Sequence, residues 1–164
     1  MRNCKDLNIY YQVGNLDVTN NKLNSLDGCP EHITGWFHCD INKLTSLIGG
    51  PQKVDGSYSC EQNQLTDLIG CASHIGGTLI CTCNNITSLV GIHKIIKSCK
   101  LIWFDVDKII EGGIGLLLID NLNEISTDTE SFHIISKYLG TGTKGLLKCQ
   151  NELIKNGFIN HAKL

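Results

Sequence analysis

The amino-acid sequence predicts an α/β repeat solenoid, in which stacked coils form a parallel β-sheet with one short strand per repeat and helices cover the C-terminal end. The first observation is a phrase of the type NxLTSLxG, which occurs four times at 21-residue intervals and begins at Asn21, Asn42, Asn63 and Asn84. The second is that glycines and large apolar residues recur at fixed places between these phrases. The third is size, because one unit cannot bury its apolar residues alone, whereas stacked units can.

Composition narrows the class of protein. Of the 164 residues, 41% are hydrophobic and 18% are charged, which is typical of a globular domain with a buried core. The formal charge of -2 and the single arginine, Arg2, argue against nucleic-acid binding. The apolar run GIGLLLI is too short to span a bilayer, and residues 1–14 lack the apolar core of a signal peptide. We therefore predict a cytoplasmic protein without nucleic-acid or membrane partners, whose nine cysteines are reduced.

We predict one domain with an N-terminal cap over residues 1–14, repeats over residues 15–125 that stay regular to about residue 112, and a helical cap over residues 126–164. Within a repeat, the alternation in the segment YSC at 58–60 has the two-residue period of a strand with one buried face. The residues predicted to point inward form two columns, which are Leu16, Phe37, Tyr58 and Leu79, and then Val18, Cys39, Cys60 and Cys81. After each strand, a Leu-x-x-Leu step and a glycine predict the turn that folds the chain back over the core.

An asparagine recurs where each predicted strand ends and backbone groups lose their sheet partners. Its side chain carries both donors and an acceptor, so it can satisfy those groups in its own coil and in the neighbouring coil. We predict that Asn42, Asn63 and Asn84 stack into an internal polar ladder with a structural role.

The fixed positions resemble the leucine-rich repeat pattern LxxLxLxxNxL. The last four fixed places of that pattern are occupied by Tyr58, Cys60, Asn63 and Leu65, by Phe37, Cys39, Asn42 and Leu44, and by Leu79, Cys81, Asn84 and Ile86. At the first leucine place the sequence has Asp55, and the adjacent Val54 serves instead. The variant with NxLTSLxG and a strand cysteine is similar to repeats of bacterial and tailed-phage proteins. The resemblance covers roughly residues 12–112 and implies a leucine-rich repeat stack that binds a partner, without identifying that partner.

Beyond residue 98 the repeats lose their regularity. We predict a fifth coil of about 20 residues, with Phe104 at the place of the ladder asparagine and with these residues directed inward: Cys99, Leu101, Phe104, Val106 and Ile109. The segment IGLLLIDNLNEIS predicts a last strand. The first cap helix is predicted in TDTESFHIISKYLG, with Thr127 or Asp128 at its start. The second is predicted in TKGLLKCQNELIKNG, with a buried face of Leu146, Cys149, Leu153 and Ile154.

Cysteines and histidines offer an alternative function in binding a metal or a ligand. Zinc needs four converging ligands, whereas the strand cysteines fall one per coil in a row and are better explained as small core residues. His32, His74 and His93 fall near equivalent turn positions, and we interpret them as loop residues that face water. The sequence contains no triad order, P-loop or HExxH motif, so we predict no enzymatic activity, no metal site and no cofactor.

The outward residues of the predicted strands differ between repeats, and such positions carry the binding function of a solenoid. The predicted partner-binding residues are Asp17, Trp36, His38, Asp40, Ser59, Glu61 and Ile80. Trp36 is central because interfaces are enriched in tryptophan, and the acidic residues of this set favour a partner with a basic surface. The alternative left open is that Trp36 packs against the N-terminal segment NIYY and covers the end coil.

Three function classes are compatible with this sequence. The one we favour is a non-catalytic protein-protein interaction module, in which a phage protein binds a host protein through the exposed face of the sheet. The second is a structural or oligomer-forming protein, which associates through its helices or through a bare edge strand. The third is a metal- or ligand-binding protein that uses its cysteines or histidines. The sequence leaves the oligomeric state open.

Overall fold

The computed structural model describes residues 2–7, 14–126 and 128–164, and its strands stack along a solenoid. These strands are β1 (Leu16–Asp17), β2 (His32–Ile33), β3 (Phe37–His38), β4 (Lys53–Val54), β5 (Tyr58–Ser59), β6 (His74–Ile75), β7 (Thr78–Ile80), β8 (Leu101–Trp103) and β9 (Glu124–Ile125). Six of them pair in parallel in the order β1-β3-β5-β7-β8-β9. The predicted repeat solenoid with a parallel sheet is therefore confirmed.

A second parallel sheet, which the sequence did not lead us to predict, contains three strands in the order β2-β4-β6. The first residues of these strands, His32, Lys53 and His74, are exposed, and the second residues are buried. Val54 takes the buried place, as predicted. The adjacent Asp55 accepts bonds from Lys53 at 2.8 Å and from His32 at 2.9 Å. One strand per repeat was thus an incomplete prediction, because the turn segments of these coils pair as well.

The asparagine ladder has the predicted structural role. Nδ2 of Asn63 donates to three backbone carbonyls, one in the previous coil and two in its own, at 3.0, 3.1 and 3.2 Å. Its Oδ1 accepts from the backbone N–H of Leu44 at 3.1 Å. Asn42 and Asn84 donate to three carbonyls in the same way. Each ladder side chain therefore ties its own coil to the one before it.

The coils become longer after β7. Tyr58 pairs with Leu79 across a coil of 21 residues, whereas Leu79 pairs with Ile102 across a coil of 23. The register predicted for the fifth coil is therefore wrong. Phe104 continues the buried column of Cys81 and does not replace a ladder asparagine.

Helices cover the C-terminal end of the stack, as predicted. They are α2 (Glu130–Ser136) and α3 (Thr143–Lys155), together with the second 3-10 helix (Gly113–Leu118). The first 3-10 helix (Cys4–Leu7) lies at the N-terminal end, and α1 (Ile92–Ile95) lies between β7 and β8. The helices α2 and α3 pack against each other and against the second 3-10 helix. None of the helices in the described part of the chain is both long and apolar enough to cross a membrane.

Three details of this C-terminal region differ from the prediction. The segment GIGLLL forms a 3-10 helix, so the last strand consists of β9 alone. The residue at the start of α2 is Thr129 rather than Asp128, and the other predicted cap, Thr127, lies outside the described residues. Ile154 is 48% exposed, because it lies off the side of α3 that carries the buried Cys149 and Leu153.

The N-terminal end is fastened by a disulfide between Cys4 and Cys29, whose Cα atoms lie 5.5 Å apart. The prediction that all nine cysteines are reduced is therefore wrong for this pair, because the first 3-10 helix brings Cys4 over the turn that holds Cys29. Lys5 of the same helix forms an ion pair with Asp27 at 2.7 Å. Of the seven free cysteines, six are buried and Cys83 is exposed.

Candidate partner-binding face

The outward side chains of the six-stranded sheet form one surface, which we call the solvent face. Parallel pairing arranges them in columns that cross the strands at the usual spacing of about 4.8 Å. These columns are Asn15, Trp36, Ser57, Thr78, Leu101 and Glu124; Asp17, His38, Ser59, Ile80, Trp103 and Ser126; and Thr19, Asp40, Glu61, Thr82 and Asp105. Sheet hydrogen bonds hold the backbone beneath them, so the positions of these side chains are set before any partner arrives.

Trp36 and His38 form an aromatic pair on β3 and the residue before it. Their ring centroids lie 4.3 Å apart with an angle of 37° between the ring planes, and both side chains are half-buried. The backbone N–H of Trp36 donates to Oδ1 of Asn15 at 3.0 Å, which fixes the strand entry. The segment NIYY at residues 8–11 lies outside the described residues, so its predicted alternative contact with Trp36 stays untested.

Asp40 is engaged within the sheet. Its Oδ1 accepts from the hydroxyl of Ser59 at 2.6 Å and from the backbone N–H of Glu61 at 2.8 Å. Ser59 is 3% exposed, because it lies in register between the larger His38 and Ile80. Its predicted role as a partner-binding residue is therefore corrected to that of a buried support. The half-buried Glu61 stays at the surface of the face.

The remaining predicted residues lie at opposite parts of the face. Asp17 is exposed on the edge strand β1, where its Oδ1 accepts from the backbone N–H of Thr19 at 2.9 Å. Ile80 is half-buried in β7 and pairs with Trp103. Asp17 lies next to His38 in the register of β1 and β3, whereas β5 separates Ile80 from His38. The structure therefore groups Asp17 with Trp36 and His38, and Ile80 stands apart.

Trp103 belongs to the solvent face, and the sequence analysis missed it. Its side chain is 47% exposed. We had predicted Leu101 to point inward, but Ile102 takes that place and leaves both Leu101 and Trp103 on the outer side. The alternation of Ile102, Trp103 and Phe104 was the available signal, because matching Ile102 to Leu79 makes Trp103 the counterpart of Ile80.

A cleft of about 530 Å³ lies beside Trp103 at the end of the solvent face. Its lining includes Trp103, Asp105, Asp107, Glu124, Ser126 and Asp128. Asp105 is engaged, since its Oδ2 accepts from Lys108 at 2.7 Å and from the backbone N–H of Cys83 at 2.9 Å. The carboxylates of Asp107, Glu124 and Asp128 form no ion pair within residues 2–7, 14–126 and 128–164.

The strand cysteines are core residues whose thiols bond to the backbone. Cys39, Cys60 and Cys81 donate to carbonyls of the next coil at 3.3, 3.5 and 3.2 Å. Burial raises the pKa of Cys81 to about 12, so its thiol stays protonated at neutral pH. In the part of the chain that the structure describes, no three histidine, cysteine, aspartate or glutamate side chains converge to hold a metal ion.

The histidines do not form one row. His32 and His74 are exposed in β2 and β6, and Lys53 of β4 lies between them. His93 lies in α1 and is half-buried, so the prediction that it is a water-facing loop residue equivalent to the other two is wrong.

Comparison with known protein families, with curated proteins and with solved structures finds no match for this chain.

Proposed function

We propose that this protein is a non-catalytic protein-binding module that contacts its partner through the solvent face. The observation that supports the proposal is the presence of two partly exposed tryptophans, Trp36 and Trp103, on one sheet surface whose other residues differ from coil to coil. Tryptophan is enriched among the residues that dominate binding energy at interfaces. A solenoid presents such residues on fixed strands, so less conformational entropy is lost on binding than from a loop.

The proposed partner is a protein of a bacterial host, because the repeats resemble those of tailed-phage proteins. Asp17, Glu61 and the carboxylates beside Trp103 favour a basic surface on that partner. We propose a cytoplasmic location, where the seven free cysteines would stay reduced and the disulfide between Cys4 and Cys29 would be an exception.

Affinity capture from bacterial lysate tests the use of this face. The bait would be the wild-type chain, a Trp36→Ala/Trp103→Ala variant, and a control Lys53→Ala/His74→Ala variant, whose changes lie at exposed positions of the second sheet. We expect one protein that the wild type and the control recover equally and that the tryptophan variant recovers at least tenfold less. Equal recovery by all three folded baits would contradict binding through the solvent face.

A second candidate function, assembly with further copies of this chain, is favoured by a row of exposed aliphatic residues at the turns. Ile48, Ile69 and Val90 occupy the same place in three successive repeats and are 63%, 52% and 46% exposed. Contiguous apolar surface of this kind marks interaction sites in soluble proteins. Sedimentation of the wild type and of an Ile48→Glu/Ile69→Glu variant decides the point, since a monomeric wild type at micromolar concentration excludes this candidate.

A further inference from the structure

We propose that the cleft beside Trp103 accepts an arginine side chain from an extended basic segment of the partner. This inference deepens the proposed function and rests on it, because it assigns a particular chemistry to one end of the solvent face.

The geometry leaves the indole of Trp103 open on one side. In the register of β8 and β9, the residue next to Trp103 is Ser126, and Glu124 of β9 is a diagonal neighbour. A serine side chain is too small to cover the indole, and β9 is the last strand of the sheet. On the other side, Ile80 packs in register with Trp103. A flat side chain can therefore enter from the β9 side and stack on the ring.

The rim of the cleft carries an excess of negative charge. Lys108 neutralises Asp105 through their 2.7 Å ion pair. Asp107, Glu124 and Asp128 are exposed and form no ion pair in the described part of the chain, although the charge of Lys108 also acts on Asp107. A cation that enters the cleft thus meets three carboxylates and one aromatic face.

Arginine fits this combination better than lysine or a metal ion. A guanidinium group stacks on tryptophan and donates paired hydrogen bonds to carboxylates, whereas an ammonium group is a compact, strongly hydrated charge. The described carboxylates are not grouped closely enough to hold a metal ion. The cleft of about 530 Å³ exceeds one side chain, so it also admits the backbone that flanks the arginine.

Fluorescence titration tests the inference, because the chain contains two tryptophans and Trp36→Phe leaves Trp103 as the single indole reporter. The probe is a tetra-arginine peptide with blocked ends, and tetra-lysine and tetra-glutamate are the comparison peptides. We expect a saturable change in Trp103 emission with tetra-arginine, at least fivefold weaker binding of tetra-lysine, and no binding of tetra-glutamate. Raising the salt concentration from 50 to 500 mM should weaken tetra-arginine binding about tenfold, because salt screens the attraction between the carboxylates and the guanidinium groups.

Two variants in the Trp36→Phe chain separate a local site from general attraction. Asp107→Asn/Glu124→Gln/Asp128→Asn removes the rim charge and should weaken tetra-arginine binding at least tenfold. Glu31→Gln/Asp67→Asn/Asp120→Asn removes the same charge elsewhere and should leave the affinity within twofold. Equal weakening by both variants would overturn the arginine pocket. So would the lack of a saturable change in Trp103 emission when tetra-arginine is added to the Trp36→Phe chain with its rim unaltered.

The outcomes also separate this inference from the proposed function. If lysate capture requires the tryptophans but tetra-arginine does not bind, the pocket is wrong and the binding face stands. If tetra-arginine binds as expected but the wild type and the Trp36→Ala/Trp103→Ala variant capture the partner equally, the pocket stands as a cation site. The proposal that the partner binds the solvent face is then wrong.

Discussion

Asn63 links two coils because a single amide group supplies both donors and an acceptor at a place where sheet bonding stops. Its Nδ2 and Oδ1 together engage four backbone groups of two coils. Three of these hydrogen bonds are buried and the one to Glu61 is partly buried. A buried backbone group without a partner costs about 1–3 kcal/mol. The recurrence of asparagine in every regular repeat follows from this requirement, since no apolar side chain can meet it.

Replacing Asn63 by alanine should therefore lower the free energy of unfolding by about 3 kcal/mol. Asn21 is the matched control, because it is half-buried in the first coil and, among the described residues, its Nδ2 donates to one carbonyl, that of Thr19, at 3.0 Å. Asn21→Ala should cost less than about 1 kcal/mol. Urea denaturation followed by circular dichroism measures both values. Equal losses at the two positions would mean that the ladder bonds of the inner coils add nothing beyond the single side-chain hydrogen bond of Asn21.

Thiol reactivity at single cysteines follows from burial. Burial raises the pKa of Cys81 and of Cys149 to about 12, and Cys83 is the free cysteine that is exposed. Brief alkylation of the native protein should modify Cys83 alone, and Cys83→Ser should abolish the reaction. After unfolding without a reductant, mass spectrometry should count seven modified thiols, and nine after reduction. Nine without reduction would contradict the disulfide between Cys4 and Cys29.

At the scale of elements, the turns that follow β3, β5 and β7 impose a left-handed backbone. The residue before each ladder asparagine has a positive φ, of 53° at Ile41, 52° at Gln62 and 56° at Cys83. This conformation costs an L-residue about 1–2 kcal/mol, and a β-branched side chain is disfavoured there in particular. The stability gained from the sheet and the asparagine ladder therefore exceeds the cost of the positive φ, even where the residue at this position is isoleucine.

Replacing Ile41 by asparagine, which adopts this conformation more readily, should raise stability by about 1 kcal/mol. The side chain is 48% exposed, so little apolar burial is lost. Gln62→Asn, at the equivalent place one coil later, is the control and should gain less, because glutamine is not β-branched. The midpoint of urea unfolding measures the gain. Destabilisation by Ile41→Asn would show that contacts of the isoleucine outweigh its backbone strain.

The elements that could be predicted from the sequence are those fixed by strict periodicity. In the coils of 21 residues, the inward columns and the ladder asparagines were identified, because burial on one face imposes a two-residue pattern. Trp103 was missed because the next coil has 23 residues, and a change in coil length shifts every later assignment. The strands at His32, Lys53 and His74 were missed because each contributes one buried residue, whereas in the first sheet a buried residue stands on both sides of the outward one, as Leu16 and Val18 do.

At the scale of the whole molecule, the open ends of the stack require covers, since each end coil exposes an apolar surface. A 3-10 helix and its disulfide fasten the N-terminal end. At the other end, Phe132 of α2 packs against Phe104 of the last coils with ring centroids 5.1 Å apart. His161 completes this cover, because its ring packs against Phe132 at 5.2 Å and its backbone carbonyl accepts from Ile114 at 3.0 Å.

His161 makes the C-terminal cover sensitive to pH. Its Nδ1 is buried and has no hydrogen-bond partner among the described residues, and burial lowers the pKa of its imidazole below the ordinary value. A depressed histidine pKa means that the folded state favours the neutral ring, so its contribution is complete above about pH 6.5 and is lost as the pH falls below that value. Linkage limits the loss to about 1.4 kcal/mol for each pH unit.

The free energy of unfolding should therefore fall between pH 7.5 and pH 5.5, and His161→Gln should flatten that decline because glutamine does not titrate. His133→Gln, at an exposed position of α2, is the control and should leave the slope unchanged. Burial and the charges of Lys94 and Lys97 also lower the pKa of His93, so His93→Gln measures its separate share. Urea midpoints at the two pH values supply the comparison. If wild type and His161→Gln decline in parallel, protonation of His161 does not loosen the cover, and the ring must reach water without disturbing Phe132.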